Sequence, residues 1–389
     1  MDPRPLIAHV LYRFDTGGLE NGVVNLINRL PADRWRHAVI ALTEVTEFRR
    51  RIERPDVEFV SLHKGEGHGL KLTPRLVREF GRLRPAIVHT RNLAALEASL
   101  AAAIAGVPAR VHGEHGWDVS DLSGKSARHR LIRRLYRPCV SRYIALSRHL
   151  ATYLREQVGV APGRISQIYN GVDTRRFHPA EFFERPSGCP FEARHFVVGS
   201  VGRLEVVKDQ LTLARAFVAA VQGSSAARER LRLAIVGAGS QRAAIESVLA
   251  QAGLLDLAWL PGERHDIPAV LRGLDGFVLP SLMEGISNTI LEAQASALPV
   301  AATAVGGNLE LVAEGLTGRL VPPADPAALA AVLLQWLAEP DTARALGRRA
   351  RAAVESGFAI ERMVADYDRV YRSLLSPQHA SALAGASEA

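Results

Sequence analysis

The chain has 389 residues, 48% hydrophobic and 23% charged, proportions of an ordinary globular protein with room for two or three domains. No apolar run reaches the ~20 residues that span a bilayer, and the first residues lack a signal-peptide core. Two cysteines, Cys139 and Cys189, exclude a disulfide framework, so a reducing cytoplasm is the expected setting.

Strand and helix patterns then alternate along the chain. Strands are expected at 7–12, 37–42, 57–62, 86–89, 110–115, 142–146 and 165–169. Helices fall between them at 20–30, 74–83, 93–105 (alanine-rich), 126–137 and 148–158. Residues 174–194 are broken by Pro179, Pro186, Gly188 and Pro190 and read as a linker. The alternation restarts with strands at 195–201, 232–236 and 257–260 and helices at 209–221 and 241–252. A strand ending at Leu279 and a short apolar run at 300–302 follow, then helices at 329–337, 342–354 and 360–375. Such alternation predicts the α/β class, with parallel sheets covered on both faces.

The expected architecture is two doubly wound, Rossmann-like domains, 1–173 and 195–358, facing a central cleft. The helix in 359–377 would return to the first domain, and 378–389 form a small, polar tail expected to be disordered. Ligand loops in such sheets lie at the carboxyl ends of the strands. The functional search therefore concentrates on the loops after Tyr12, His115, Val201, Val236, Leu260 and Leu279.

Gly17-Gly18 precede a helix after the first strand. They fit either a tight turn with positive φ or close approach of a phosphate or sugar. His115 ends the fifth strand before Gly116 and is suited to bond a sugar hydroxyl or act as a base. His112, three residues earlier, suits the core. In V-G-R-L-E-V-V-K-D-Q, Gly202 frees the strand exit, and Arg203 and Lys208 form a pair of cations able to grip a diphosphate. Lys208 is expected to open a helix, where it opposes the dipole, a cost that an anion would relieve. Gly237 and Gly239 mark another close-approach turn, and Arg264 and Asp266 are candidates for a nucleobase edge.

The segment L-P-S-L-M-E-G-I-S-N-T-I-L-E-A concentrates most of this chemistry. A helix starting at Ser287 or Asn288 offers N–H groups to a phosphate. Asn288, Thr289 and Ile290 form its first turn, Glu292 lies about one turn inside, and Glu284 precedes it, seven residues separating the two carboxylates. Taken alone, the pattern equally describes a capped helix with two solvated glutamates. The one D-x-D, Asp366 and Asp368, lies in a helix that points the two side chains about 200° apart, a poor metal site.

Charge is uneven. Residues 1–190 carry 30 Lys+Arg against 19 Asp+Glu, and the remainder 18 against 21, within a net +8. The excess peaks between Lys125 and Arg142, where Arg130, Arg133, Arg134 and Arg137 recur at helical spacing with Leu131, Ile132, Leu135 and Tyr136 between them. This reads as a face for an anionic membrane surface, as a nucleic-acid patch, or as an ordinary solvated helix. The acidic second half and the lack of stacking aromatics weigh against nucleic acid.

Together these motifs resemble the retaining GT-B glycosyltransferases of family 4. The matching pieces are G-G-L-E, the H-G at His115, Y-N-G-V-D-T-R-R-F-H-P, V-G-R-L-E-V-V-K-D, I-V-G-A-G, L-P-G-E-R-H-D-I-P, the Glu284–Glu292 segment and A-V-G-G-N-L-E-L-V-A-E-G-L-T-G-R-L-V-P-P-A-D. The N-terminal run also looks like exopolysaccharide sugar transferases linked to exosortase and PEP-CTERM sorting. Gln294 and Ala297 depart from the family's usual Met and Gly.

The resemblance implies a nucleotide-sugar donor, a lipid-linked or oligosaccharide acceptor, retention of configuration and no metal or other cofactor. Arg203 and Lys208 would bind the diphosphate, Glu292 the ribose, and Glu284 and His115 the transferred sugar. Gly18 would admit donor phosphates or acceptor, and the backbone at Asn288, Thr289 and Ile290 would help hold the phosphates. Residence at the inner face of the cell membrane follows from the basic segment and such an acceptor. The rivals are a nucleotide-sugar epimerase or hydrolase of similar build and a non-catalytic, membrane-associated nucleotide binder.

Overall fold

A computed structural model describes residues 2–65, 69–116, 121, 124–182 and 184–375; the predicted tail at 378–389 lies outside them. The chain forms two compact units. One comprises Met1–Asn170 together with the chain from Glu361 onward; the other is Gly171–Ile360.

The first unit is built on strands β1 (Leu6–Leu11), β2 (Arg36–Ala41), β3 (Glu58–Ser61), β4 (Ile87–Arg91), β5 (Ala109–Glu114), β6 (Arg142–Ala145) and β7 (Ile165–Gln167). All pair in parallel, in the order β3-β2-β1-β4-β5-β6-β7. Helices cover both faces, so the central strands are buried from end to end, as in Leu6–Leu11. The strand order reverses between β1 and β4, and the loops leaving their carboxyl ends diverge there.

This sheet has an unusual polar row. It consists of His9, His37, His89 and Arg91, buried on one face, while His112 and Glu114 are buried on the opposite face. The helix Ile360–Ser373 packs onto that row. Asp368 accepts hydrogen bonds from Trp35 Nε1 (2.7 Å) and Arg34 Nη1 (2.9 Å), and Tyr371 Oη lies 2.7 Å from His89 Nδ1. Asp366 instead pairs with exposed Arg369, so the two carboxylates of the D-x-D diverge, as helix geometry requires.

The second unit contains β8 (Phe196–Val201), β9 (Leu231–Val236), β10 (Ala258–Gly262), β11 (Gly276–Leu279), β12 (Val300–Thr303) and β13 (Arg319–Val321). This sheet is also parallel, ordered β10-β9-β8-β11-β12-β13, with its reversal between β8 and β11. Leu213 and Phe217 of helix Gln210–Gly223 and Leu333 and Trp336 of helix Pro326–Ala338 share one core with Val198, Leu233 and Val278.

Several local expectations change. The alanine-rich helix is two pieces, Asn92–Leu96 and Ala98–Ile104. The predicted helix at 148–158 widens into a π turn over Leu154–Val158 before Gly159 (φ +77). The short helices Ser225–Arg230, Ile267–Arg272 and Asn308–Leu311 and the strand β13 were not expected, being too short to show a period. Of the three terminal helices, only the last joins the first unit.

Candidate active site

The site is built from the two loops that diverge at the reversal of the second sheet. The first leaves β8. Gly202 has φ +152, and a Cβ on Gly237 would lie 1.9 Å from Gly202 O. Gly237 (φ +144) therefore lets the exits of β8 and β9 touch, a backbone requirement that explains this glycine without a ligand. Arg203 follows, exposed and without an ion-pair partner among the described residues.

Lys208 closes a short 3-10 turn, Val206–Lys208, and does not open the helix. Asp209 does so, at φ +47. Its Oδ1 accepts from Thr212 N (3.3 Å) and its Oδ2 from Thr212 Oγ1 (2.7 Å). The expected clash between Lys208 and the helix dipole is thus absent, and the first turn is capped by a carboxylate.

The second loop leaves β11 and brings the counter-charge. Lys208 Nζ donates to Glu284 Oε1 at 2.5 Å, and Ser281 Oγ donates to the same oxygen at 2.7 Å. Leu282 N–H donates to Val207 O (2.9 Å), joining the two loops by backbone as well. Glu284 is nearly buried, whereas the Lys208 side chain is about a quarter exposed. The cation and the carboxylate that the motifs assigned to phosphate and sugar therefore hold each other.

A third layer supports this pair. Thr303 Oγ1 donates to Ser281 O (2.5 Å), and Asn308 Nδ2 donates to Thr303 O (3.0 Å). Gly306 (φ +48) and Gly307 pass directly beneath the Glu284 loop; Cβ atoms there would lie 2.0 Å from Glu284 O and 1.7 Å from Gly285 O. Ser281, Thr303 and Asn308 are buried polar residues that the motif reading passed over. For Ser281 and Thr303 the signal was a small polar side chain at or just after the end of a strand.

The helix Asn288–Ala295 begins beside this cluster. Ser287 is its N-cap, its Oγ accepting from Ile290 N (3.3 Å) and lying 3.0 Å from Thr289 Oγ1. The Ile290 N–H, one of the backbone groups expected to help hold the phosphates, donates to this cap. Asn288 and Thr289 form the partly buried first turn, and Glu292 lies one turn further in, also partly buried. Ala297 has φ +57 just beyond this helix, the left-handed position where the family's glycine would be unstrained. Gln294 is buried and donates to Leu311 O (2.9 Å). Arg264 pairs with Asp266 (2.5 Å) and lies over the Trp259 ring (5.3 Å).

The remaining candidates lie in the first unit. Neither Gly17 nor Gly18 has positive φ; Gly17 is extended at φ −171, and the Glu20 carboxylate lies against it. That removes the tight-turn explanation. His115 does not project freely from the strand end. Its Nε2 is buried beside Gly113, without a hydrogen-bond partner, and the His115 backbone N–H donates to Asn92 Oδ1 (2.8 Å). Burial holds this imidazole well below its usual range, with Arg91 adding to the effect, so the ring is neutral at pH 7.

Directly before it, Glu114 receives Arg133 Nε (2.6 Å) and Nη2 (3.1 Å). Burial pushes the carboxyl up, but the Arg133 charge and bonds from His112 and Arg133 outweigh it and hold Glu114 at about 2. Arg133, in helix Ala127–Tyr136, is only 2% exposed. It is therefore removed from the predicted membrane face. Arg134 Nε bonds Gln157 O and Arg137 Nη1 bonds Gly159 O, while Leu131 and Leu135 remain 57% and 66% exposed.

Comparison with known proteins identifies the family. The family model described as Glycosyltransferase Family 4 matches residues 16–176, and that of Glycosyl transferases group 1 matches 195–339. A UDP-Gal:alpha-D-GlcNAc-diphosphoundecaprenol alpha-1,3-galactosyltransferase of Escherichia coli is 30% identical over 286 residues, 72% of this chain and 73% of that protein. A lipopolysaccharide core biosynthesis mannosyltransferase of Rhizobium leguminosarum is 33% identical, but over 54% of this chain and 59% of its own length. Among solved structures, Anabaena HepE in complex with UDP and glucose superposes with a TM-score of 0.77 at 21% identity, covering 94% of this chain and 99% of that one. Sucrose-phosphate synthase of Thermosynechococcus elongatus gives 0.79 at 23% identity, covering 95% and 99%. With both halves matched in sequence and both sheets in fold, the chain belongs to the group 1, family 4 glycosyltransferases of GT-B fold.

Proposed function

We propose that this glycosyltransferase moves a sugar, with retention and without a metal, from a nucleoside diphosphate donor to a lipid-linked or oligosaccharide acceptor in exopolysaccharide or cell-surface glycan synthesis. The observation that carries the donor assignment is the Lys208–Glu284–Ser281 cluster at the reversal of the second sheet, beside the start of helix Asn288–Ala295. Donor phosphates next to the N-terminal turn gain its dipole and the charges of Arg203 and Lys208. Lys208 then exchanges Glu284 for phosphate, and the freed carboxylate accepts a sugar hydroxyl. Glu292 binds the ribose.

In the reaction an acceptor hydroxyl oxygen forms a bond to the anomeric carbon as the bond from that carbon to the phosphate oxygen breaks. Attack on the face the diphosphate leaves gives retention, and the departing phosphate oxygen takes the hydroxyl proton. Fixed cations near that oxygen stabilise the developing charge most, because they need no reorganisation as it forms. His115, neutral and buried, suits a hydrogen bond to the sugar better than proton removal.

The nature of the relatives supports the acceptor class: the Escherichia coli relative's name includes a diphosphoundecaprenol-linked sugar. No helix among the described residues is long and apolar enough to cross a membrane. Exposed Leu131 and Leu135, with Lys125, Arg128 and Arg134 on the same helix or just before it, support peripheral attachment to an anionic inner-membrane surface.

The test incubates purified protein with a panel of nucleotide sugars, with and without undecaprenyl-diphosphate-linked saccharide, in chelator or Mg²⁺. Acceptor-dependent nucleotide release, an α-linked product from an α-linked donor, and equal rates in chelator are expected. Acceptor-independent turnover would identify an epimerase or hydrolase, and an inverted product would remove the retaining mechanism. Flotation with anionic and neutral vesicles tests attachment; failure to bind either removes it.

A further inference from the structure

The reversal of the first sheet, between β1 and β4, holds a cavity of about 210 Å³. Its wall includes Tyr12 after β1, Glu20 in the first turn of helix Gly18–Arg29, Arg91 and Asn92 at the end of β4, Gly116 and Arg133. Two arginines line it, and they differ in one respect. Arg133 has a carboxylate of its own, Glu114. Arg91 is 3% exposed and forms no ion pair among the described residues.

The surroundings of Arg91 are neutral. Nη2 contacts His9 Nδ1 (3.1 Å) and His89 Nδ1 (3.3 Å), and Nη1 contacts His89 O (3.4 Å). A guanidinium only donates, so His9 must accept at Nδ1 and carry its proton on Nε2, which faces His37 Nδ1 at 3.0 Å. Burial holds His9 and His89 well below their usual range and His37 at about 3, leaving all three uncharged at neutral pH. The Tyr371 phenol is a further hydrogen-bond partner, so every partner of the Arg91 guanidinium among the described residues is uncharged. A buried cation with only imidazoles, a carbonyl and a phenol around it is costly unless an anion completes the site. Glu20 is the acidic residue whose field reaches Arg91, but no ion pair joins them, and its carboxylate lies against Gly17.

We infer that this cavity binds an oxyanion of the acceptor, a phosphoryl or carboxylate group attached to the saccharide, with Arg91 as the anchoring cation. The N-terminal end of the twelve-residue helix Gly18–Arg29 adds a favourable dipole. Arg91 supplies a planar fork already held by two imidazoles, which suits a bidentate oxyanion. Glu20 opposes the anion and sets its affinity. The assignment to an acceptor rests on the transferase reading above; the anion site itself does not.

The test uses full-length protein saturated with UDP, so that the second unit's phosphate site is occupied, and titrates α-D-glucose 1-phosphate, D-glucuronate and methyl α-D-glucopyranoside by calorimetry. UDP binding is measured first and judges the donor reading separately. Glucose 1-phosphate is expected to bind at least tenfold more tightly than the uncharged glycoside. A matching response to glucuronate extends the site to carboxylates, and its absence restricts it to phosphoryl groups. Arg91→Gln should abolish the preference with UDP affinity unchanged, and Glu20→Gln, which leaves the buried network intact, should strengthen glucose 1-phosphate binding several-fold. Equal binding of charged and uncharged sugars by the wild type overturns the inference. So does a preference that survives Arg91→Gln or, if that variant does not fold, one that Glu20→Gln leaves unchanged.

Discussion

Replacing Glu114 by Gln keeps the shape of a buried side chain and removes its charge, leaving Arg133 unpaired beside the loop that carries His115 and Gly116. Both partners are at most 2% exposed, and the contact is bidentate at 2.6 and 3.1 Å, so solvent screening gives little relief. The carboxyl is held at about 2 against an ordinary 4.5, and at ~1.4 kcal/mol per unit this corresponds to about 3 kcal/mol favouring the charged form. Removing one partner of a buried pair costs roughly 3–5 kcal/mol, in agreement. For a unit of this size such a loss lowers the melting temperature by about 6–20 °C.

The sign of the pH dependence follows. The unfolded carboxyl binds its proton at higher pH than the folded one, so this stability is complete above about 4.5 and is lost as pH falls through about 2. Calorimetric unfolding of wild type and Glu114→Gln from pH 7 to 2 should show curves separated at neutral pH that converge in acid. A neutral-pH difference below ~1 kcal/mol, or a gap that persists to pH 2, would refute the reasoning. Adding Arg133→Met to Glu114→Leu should recover much of the loss, since no charge then remains unpaired.

Other outcomes follow from the second unit. Lys208→Ala and Glu284→Gln should each lower kcat by about 10²–10³ while costing only ~1–2 kcal/mol of stability, and wild-type turnover in either would exclude that residue from the reaction. Gly307→Ala places a methyl 1.7 Å from Gly285 O. It should destabilise by ~1–3 kcal/mol and weaken nucleotide binding through the Glu284 loop; unchanged nucleotide affinity would show that the loop is not positioned this way. Ala297→Gly relieves a residue at φ +57 and should raise stability by about 1 kcal/mol in chemical denaturation, whereas a loss would show that the Cβ packs more than it strains.

The alternation of apolar strands with amphipathic helices was legible because its periods follow from local geometry, and it predicted both parallel sheets. The cluster of motifs around Glu284 was legible as well, since glycines, a capping serine and paired carboxylates carry their chemistry wherever they fall. The pairing of Lys208 with Glu284 was not legible, because sequence spacing does not show that two residues 76 positions apart lie within 2.5 Å of each other. The basic helix was read as one solvent face because helical spacing cannot tell which arginine turns inward. Burial of Arg133 depends on Glu114, which a different strand supplies.

The sequence by itself determined the element types, the two-sheet architecture and the residues from which a phosphate-binding loop is made, all consequences of local periodicity and side-chain chemistry. Tertiary structure alone decided how charges pair: Glu284 with Lys208, Glu114 with Arg133, and Arg91 with no carboxylate among the described residues. Charge pairing depends on distances of a few ångströms between segments far apart in the chain, and on burial that raises the cost of every unmatched charge.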